Sequence, residues 1–428
     1  MRVTETAAAK SAVRIALLLA LTFLASPSMM AQVHPAKPEE VGLSSERLKR
    51  IHELVQRHVD AGSFAGAVTA VARNGRVAHL EAHGLMDLES KKPMTTTAMF
   101  RIMSMTKPIV GVSILMMVEE GKVRITDPVS RFIPQFKDLK VAVAQPSAAG
   151  TAGGAAGAAA EPRFYVVPAE REITIRDLLT HTSGLVSGTI SSREAQKVGL
   201  KGKESIADYI PRLGMVPLEF QPGTRWAYSA QAGFDTLVRV VEIASGQKFD
   251  EFSRQRIFGP LGMKDTFFYP ADTYTPRIAT LYRKTAKGLE KLANPNFMNG
   301  VYLSGGGGLY STAEDYLQFG LMLMNGGQLN GKRLLGRRTV EMMASVYAPD
   351  TLPGRPRGES YGLSVRVIND AAQRGVALSN GSFGWSGAYG THFWVDQKEK
   401  IVAVAMTQTA NQEFRGDFET MVMQSIVE

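Results

Sequence analysis

The sequence predicts a mixed α/β (α+β) fold. In this fold an antiparallel sheet is flanked by helices, and a helical lobe is inserted into the chain between its strands. Two observations lead to this prediction. β-Rich runs lie near both ends of the chain, and apolar residues recur at helical spacing between them. The β-rich runs are Val68–Ala72, Val77–Ala82, Thr391–Val395 and Ile401–Met406. The 428 residues are 44% hydrophobic and 21% charged, a globular balance that excludes disordered and collagenous chains.

The N-terminal segment has the pattern of a secretory signal. Basic residues up to Arg14 precede an apolar run at Ile15–Ala25, and a stretch of mostly small residues then leads to Ala31. The apolar run is too short to span a bilayer. The sequence therefore predicts that residues 1–31 are a signal peptide cleaved after Ala31, and that the protein is periplasmic or secreted. It also predicts no stable membrane anchor in the mature form, with an uncleaved N-terminal anchor as the alternative.

The elements between the chain ends follow from apolar spacing and from residues that begin or end helices. Ser44–Val59 has an apolar stripe behind a serine cap, and Asn74-Gly75 between two β-rich runs is a strong hairpin signal. Ser311 followed three residues later by Glu314 predicts a capping box. Further helices are predicted at Met105–Glu120, Ile173–Leu179, Phe234–Ala244 and Ala313–Met324.

Several kinds of chemistry are excluded by what the sequence lacks. There is no cysteine, so thiol catalysis, zinc–cysteine sites and disulfides are ruled out. No serine stands in the Gly-x-Ser-x-Gly pattern of α/β-hydrolases. His79 and His83 lie on a predicted strand about 13 Å apart, too far to share an ion. No metal or cofactor is predicted, and the scattered basic residues behind the net charge of +9 indicate no nucleic-acid partner.

The candidate nucleophile comes from a serine–lysine pattern. Ser-x-x-Lys occurs at Ser104/Lys107 and at Ser245/Lys248, and on one helical turn it brings the hydroxyl and the amine to the same face. Ser104 opens a predicted helix, where unpaired N–H groups favour a developing anion. Ser245 closes a helix before a glycine, so no turn aligns Lys248. The first pair is therefore the candidate.

Five ordered motifs resemble those of the serine β-lactamase-related family. This family holds class C β-lactamases, D-Ala-D-Ala carboxypeptidases and the esterases called family VIII. The motifs are FRIMSMTKP at 100–108, LLTHTSGL at 178–185, YSA at 228–230, SGGGGLYS at 304–311 and WSG at 385–387. The resemblance extends from about Pro38 to the C-terminus and implies a β-lactamase/transpeptidase-like fold of the esterase-like branch.

The resemblance also implies a role for each matching residue. Ser104 would attack the acyl carbonyl and form an acyl-enzyme, with Lys107 and Tyr228 as the proton-transfer groups. Which of these two takes the proton stays open. The backbone N–H groups of Ser104 and Ala388 would form the oxyanion hole. The residues implied in substrate binding are Trp385, Ser386 and Gly387. His181, in the second motif, is interpreted as structural.

Two departures from the family pattern bear on the substrate. Trp385 stands where β-lactamases and carboxypeptidases carry a lysine, and Ala230 stands where they carry an asparagine. Both changes remove polar contacts to peptide-like substrates, which favours neutral esters. We therefore predict a carboxylesterase acting on small-molecule esters. The alternatives are a β-lactamase or D-amino-acid peptidase acting on β-lactam-like or cell-wall substrates, and a non-catalytic penicillin-recognising binding module.

The domain prediction is a single catalytic unit at residues 32–428. We expect a sheet lobe at about 38–130 and 300–428, and a helical lobe at about 131–299 between them. The Ala/Gly-rich tract at 142–160 is interpreted as a flexible surface loop or hairpin tip, because it lacks large apolar side chains to anchor it. The sequence assigns no oligomeric state.

Overall fold

A sheet with helices on both faces organises the chain. The computed structural model describes residues 34–145, 163–295 and 297–428. Its strands are β1 His34–Pro35, β2 Gly66–Arg73, β3 Arg76–Asp87, β4 Lys92–Pro93, β5 Phe100–Arg101, β6 Lys140–Ala144, β7 Phe164–Pro168, β8 Tyr282–Thr285, β9 Gly288–Lys291, β10 Tyr310–Ser311, β11 Gln328–Leu329, β12 Lys332–Arg333, β13 Glu359–Tyr361, β14 Arg366–Ile368, β15 Phe383–Ser386, β16 His392–Asp396 and β17 Ile401–Thr407.

The helices lie mostly between the two groups of sheet strands. They are α1 Ser45–Asp60, α2 Thr106–Glu119, α3 Ile175–Leu179, α4 Thr189–Lys197, α5 Ile206–Tyr209, α6 Ala232–Ser245, α7 Phe249–Ser253, α8 Gly259–Leu261, α9 Ala313–Met324, α10 Arg337–Met343, α11 Ala371–Arg374 and α12 Gln412–Met423. A short 3-10 turn at Met103–Met105 precedes α2.

The large sheet joins the two ends of the chain. Its strand order is β1-β3-β2-β17-β16-β15-β14-β13, with β4 also paired to β3. The central pairing of β17 with β2 is antiparallel, and it brings the C-terminal hairpin against the N-terminal one. The short edge strand β1 pairs parallel to β3. The prediction of an antiparallel sheet flanked by helices is confirmed, with this one parallel edge as the difference.

Local sequence signals account for several elements. The Ser44 hydroxyl accepts a hydrogen bond from the Arg47 N–H and caps α1. Asn74 and Gly75 both adopt positive φ, 51° and 77°, as a two-residue turn between β2 and β3 requires. Gly246 ends α6 in the left-handed conformation with a φ of 73°. These elements therefore form where the sequence predicts them.

Two local predictions need correction. The cap of α9 is Thr312, whose hydroxyl accepts from the Asp315 N–H, and Ser311 belongs to β10 instead. The cap is therefore one residue later than expected, and the box is not completed because the Asp315 carboxylate accepts from the Asp265 N–H and the Thr266 hydroxyl. The Ala/Gly tract also begins inside a strand, because β6 runs to Ala144 and pairs antiparallel with β7. Residues 146–160, the rest of the tract, lie outside the described residues, as does the predicted signal segment with its cleavage point after Ala31.

Each face of the sheet carries its own apolar core. Helices α1 and α12 pack on one face, where Val55, Trp394 and Phe418 are buried together. Helix α9 packs on the other face, in the larger core that also includes α2 and α6. Helix α2, which follows Ser104, is thus packed in the larger core. None of the helices within the described ranges combines the length and apolar character that crossing a bilayer needs.

Candidate active site

Ser104 lies at the start of the helix that the sequence predicts. It occupies the centre of the 3-10 turn that leads into α2, so its backbone is at the helix N-terminus. Met103, immediately before it, has a φ of 47° in the left-handed region. Such a conformation is strained for a side chain larger than glycine and is common at functional sites. The surrounding packing therefore holds the serine in a fixed orientation.

Lys107 is completely buried one helical turn after the serine. Its Nζ donates to Ser104 Oγ at 3.1 Å, to the Ala230 carbonyl at 2.6 Å and to the Gly306 carbonyl at 2.8 Å. Two of the three Nζ positions are thus taken by backbone carbonyls. The remaining position, a hydrogen in the ammonium form or a lone pair in the amine form, points at the serine oxygen.

Tyr228 contacts the same serine oxygen from the Tyr228–Ala230 segment, which precedes α6. Its hydroxyl donates to Ser104 Oγ at 2.6 Å, and Lys107 Nζ lies 4.9 Å from the centre of its ring. The segment is supported by His181, whose ring centre is 4.7 Å from that of Tyr228 and whose Nδ1 accepts from the Ser229 N–H. Burial, and then the charges of Lys107 and Arg355, lower the pKa of His181 well below its usual value. His181 is therefore a neutral packing group.

Asp235 is a functional residue that the sequence reasoning missed. It is buried at the start of α6 and accepts hydrogen bonds from the Tyr302 hydroxyl, the Ser304 hydroxyl and the Gly306 N–H. Burial raises the pKa of this carboxyl, while the three hydrogen bonds and nearby Lys107 oppose the rise. Asp235 fixes the glycine run whose Gly306 carbonyl holds Lys107. A carboxylate among the apolar residues at the start of α6 was the available signal.

Glycine is required at 306 by close backbone contacts. A Cβ there would lie 2.6 Å from Gln231 Cα and 2.8 Å from the Ala230 carbonyl oxygen. The Gly305–Gly308 run therefore lets the chain approach the Tyr228 segment closely enough for both carbonyls to reach one lysine.

The chain just after β15 contacts, at Gly387, the segment that leads into Ser104. The Thr391 hydroxyl donates to the Ile102 carbonyl at 3.0 Å, and the Gly387 N–H donates to the Thr391 carbonyl at 2.7 Å. Ser104 and Ala388 line the same cavity. The structure thus brings the two predicted oxyanion-hole residues to one cavity, and the role itself stays a prediction.

Ser386 is oriented by a chain of buried groups behind the cavity. Its hydroxyl lies 2.9 Å from His392 Nδ1, and His392 Nε2 lies 2.9 Å from Glu419. Burial lowers the pKa of His392 to about 4, so the ring is neutral. Burial alone would raise the pKa of Glu419, but Arg366 and His392 lower it, so the carboxylate takes the Nε2 hydrogen. Nδ1 then accepts from Ser386, whose oxygen lone pairs remain for a substrate.

Trp385 belongs to an aromatic cluster beside the nucleophile. Its ring centre is 5.7 Å from that of Tyr228 and 5.0 Å from that of Tyr361. It also lines the cavity that contains Ser104. The side chain that stands in place of the family's lysine therefore forms an apolar wall.

Two cavities meet at Tyr228. The cavity that contains Ser104 has a volume of about 330 Å³, and the neighbouring one has a volume of about 710 Å³. Tyr228 lines both. The larger cavity has apolar and aromatic lining from Val186, Leu200, Tyr209, Phe297 and Tyr302. An ester with two distinct halves has space on either side of the tyrosine.

The second Ser-x-x-Lys pattern has no comparable surroundings. Ser245 is the last residue of α6, and Gly246 turns the chain away before Lys248. The Ser245 hydroxyl accepts from the Gln247 N–H rather than contacting the lysine.

The fold together with the arrangement around Ser104 defines the class of proteins with a β-lactamase/transpeptidase-like fold. The Beta-lactamase family model matches residues 51–428, and the chain belongs to this family. The family resemblance and the fold predicted from the motifs are therefore confirmed.

Particular relatives narrow the class to hydrolases. Protein Rv1367c of Mycobacterium tuberculosis is 33% identical over 367 residues, which cover 82% of this chain and 87% of that protein. Esterase EstB of Burkholderia gladioli is 30% identical over 380 residues, which cover 82% of this chain and 88% of that protein. The solved structure of EstCE1, a hydrolase with promiscuous acyltransferase activity, superposes with a TM-score of 0.73 at 26% identity and covers 90% of this chain and 99% of its own. The protein is a hydrolase of this family.

Replacing Gly387 tests the contact between the end of β15 and the segment that leads into Ser104. In Gly387→Ala, the new Cβ would lie 2.2 Å from Thr391 Oγ1 and 2.3 Å from the Ile102 carbonyl oxygen, so the strand end must move. We expect kcat/KM for an ester to fall at least about tenfold with the fold retained, because small displacements of reacting groups are costly. Gly416→Ala is the control, since no atom lies within 4 Å of its Cβ. Unchanged activity in Gly387→Ala would contradict the contact.

The neutral state of His392 predicts a pH dependence of stability. Its pKa is about 4 in the folded protein and 6.5 as the reference value, so the unfolded state binds more protons between these values. Stability is full above pH 6.5 and is lost as the pH falls toward 4, by up to about 3 kcal/mol from this group. Urea unfolding at pH 7 and pH 4.5 should show a smaller acid loss for His392→Gln than for wild type. His34→Gln, at an exposed position, should match wild type, and equal losses in all three proteins would refute the assignment.

Proposed function

We propose that the protein is an exported serine hydrolase, a carboxylesterase that cleaves small esters through an acyl-enzyme on Ser104. The single observation that carries the proposal is the contact of one serine oxygen with both Lys107 Nζ and Tyr228 Oη, at 3.1 Å and 2.6 Å. The proposal of export rests on the basic and apolar pattern at the N-terminus. The proposed substrate is a neutral small molecule.

The first step forms the acyl-enzyme. Ser104 Oγ attacks the ester carbonyl carbon, and the hydroxyl proton passes to the Lys107–Tyr228 pair. The carbonyl oxygen takes the negative charge of the tetrahedral intermediate, where the N–H groups of Ser104 and Ala388 stabilise it. The carbon–oxygen bond to the alcohol then breaks, and the departing alkoxide receives the proton. In the second step, water repeats the attack and releases the acid and the free serine.

The environment of Lys107 supports these proton transfers. The Ala230 and Gly306 carbonyls hold the Nζ group without a carboxylate among its hydrogen-bond partners. Carbonyl oxygens accept hydrogen bonds from the ammonium form and from the amine form, so they hold Nζ in place in either state. The same arrangement holds Nζ 4.9 Å from the centre of the Tyr228 ring, beside the second candidate proton acceptor.

The aromatic lining supports an ester rather than a peptide as substrate. Trp385 supplies a ring where the resemblance would require a lysine, and Ala230 offers only its backbone. The relative named esterase EstB agrees with this choice. A non-catalytic binding module has no use for a buried lysine held at a serine oxygen, so that alternative receives no support.

Removing the nucleophile is the direct test. Ser104→Ala should lower hydrolysis of a short-chain p-nitrophenyl ester by at least about three orders of magnitude, because no acyl-enzyme can form. Ser245→Ala is the matched control from the second Ser-x-x-Lys pattern and should retain wild-type rates. Wild type should turn over the ester faster than a chromogenic cephalosporin. Equal ester hydrolysis by Ser104→Ala would refute the nucleophile, and a faster cephalosporin rate would refute the esterase preference.

A second candidate function is supported by the charge of the smaller cavity. Arg366, Arg374 and Arg415 line it, in contrast to the apolar site that the motifs predict. Arg366 pairs with Glu419 and Arg374 pairs with Glu359, whereas no ion pair involves Arg415 within the described residues. Arg415 is a partly buried guanidinium in the same cavity as Ser104 and suits a substrate carboxylate, although the Glu359 and Glu419 carboxylates also interact with it. This feature favours a β-lactamase or a D-amino-acid peptidase.

Arg415 therefore separates the two candidates. If the cavity binds a carboxylate, Arg415→Ala should reduce kcat/KM for a cephalosporin by roughly tenfold to a hundredfold, the value of a charged hydrogen bond. The rate with a neutral ester should change less than about threefold, because that substrate has no charge to pair. Arg338→Ala, at an exposed helix position away from both cavities, is the control. Equal effects on both substrates would argue against carboxylate binding.

A further inference from the structure

A group of titratable side chains lies on the sheet face that α1 covers. Residues at alternate positions of β3 share one face, and Glu81 and His83 both point toward α1, opposite Thr69 and Ala67 of β2 in the register. His52 extends from α1 toward them. This face is opposite to the larger core that holds the nucleophile's helix. The group is therefore separate from the site around Ser104.

The three side chains present ligand atoms to one point. His52 Nδ1 lies 2.7 Å from Glu81 Oε1, and His83 Nε2 lies 3.7 Å from Glu81 Oε2. All three ligand atoms lie within 4.8 Å of one another, and within the described ranges this is the one group of three such residues with that spacing. In a tetrahedral zinc site with bonds of about 2.0–2.1 Å, ligand atoms are about 3.3 Å apart. Small side-chain rotations would complete the geometry.

His83 provides a second, independent sign of a ligand. Its side chain is 1% exposed, and its Nε2 has no hydrogen-bond partner among the described residues. Buried polar atoms are normally paired, so an orphan imidazole nitrogen requires an explanation. The atom faces Glu81 at 3.7 Å, beyond hydrogen-bond distance. A metal ion between the two residues would satisfy it.

The chemical state of the group suits a metal. The burial of His83 places an imidazole nitrogen, a ligand type that zinc prefers, beside the Glu81 carboxylate. Two imidazoles and a carboxylate form a ligand set for zinc rather than for magnesium. His52 and Glu81 are 53% and 38% exposed, which leaves one side open to water as a fourth ligand. His79, on the same face, is excluded because its Nε2 is bonded to the Thr69 hydroxyl at 2.8 Å.

We propose that a divalent ion such as zinc is bound by His52 Nδ1, the Glu81 carboxylate and His83 Nε2. The ion would link α1 to β3. The sequence reasoning predicted no metal because it found no metal-binding histidine motif and placed His79 and His83 too far apart to share an ion. The proposed ligands instead alternate along one strand, and the third comes from a helix that packs over it. Such a site is a structural clamp, because it lies on the sheet face away from Ser104.

Zinc binding by the whole protein tests the proposal. Untagged protein is treated with a chelator, exchanged into metal-free buffer and titrated with zinc sulfate by calorimetry, with bound zinc counted by mass spectrometry. We expect one zinc per chain at this site, and at least about tenfold weaker binding in His52→Ala and in Glu81→Gln, because each variant lacks one of three ligands. Millimolar Mg²⁺ should not displace the zinc.

Two matched variants control for the loss of a surface imidazole or carboxylate. His34→Ala removes an exposed histidine outside the group, and Glu53→Gln removes an exposed carboxylate next to His52 on α1. Both should bind zinc as tightly as wild type. Zinc should also raise the Tm of wild type but not that of His52→Ala, since a ligand that binds only the folded state stabilises it. His52 is exposed, so its variant is expected to fold.

The outcomes decide the proposal in either direction. Failure of wild type to bind zinc, or wild-type affinity in both His52→Ala and Glu81→Gln, would overturn it. Loss of binding in His34→Ala or Glu53→Gln would also overturn it, because the ion would then lie elsewhere. None of these measurements depends on ester hydrolysis, so failure of the proposed catalytic function leaves the result unaffected.

Discussion

The placement of one buried amine governs the structure around Ser104. Lys107 is wholly buried, and an isolated ammonium or amine in such a position is costly unless every polar position finds a partner. The chain meets this requirement by bringing the Ala230 and Gly306 carbonyls to the same atom as the serine oxygen. Asp235 fixes Gly306, and His181 fixes the segment that ends at Ala230. The glycine run and the Tyr228–Ala230 segment therefore lie where their carbonyls can accept hydrogen bonds from Lys107.

A second network lies behind the substrate side of the cleft. Ser386 bonds His392, His392 bonds Glu419, and Glu419 is paired with Arg366. Burial keeps His392 neutral, whereas Arg366 and His392 keep Glu419 ionised despite its burial. The cleft consequently combines an apolar wall at Trp385 with a polar end, so it can distinguish substrates by charge as well as by shape.

Sequence reasoning succeeded where interacting residues lie close together along one element. The serine cap of α1, the Asn74-Gly75 turn and the Ser104/Lys107 pair are each set by neighbours within about four residues. It failed by one residue at the cap of α9, because both Ser311 and Thr312 are competent caps and only the pairing of Ser311 in β10 decides between them. It missed Asp235 for a different reason, since this carboxylate acts through residues about seventy positions away.

The sequence by itself determined the family, the order of the motifs, the candidate pair Ser104/Lys107 and the antiparallel sheet that joins both chain ends. Only the tertiary structure decided which carbonyls hold Lys107, that arginines line the smaller cavity, and that His52 meets Glu81 and His83. Spacing along the chain encodes contacts within a helix or strand. Contacts between distant elements depend on how the apolar faces pack, and that packing is a property of the whole fold.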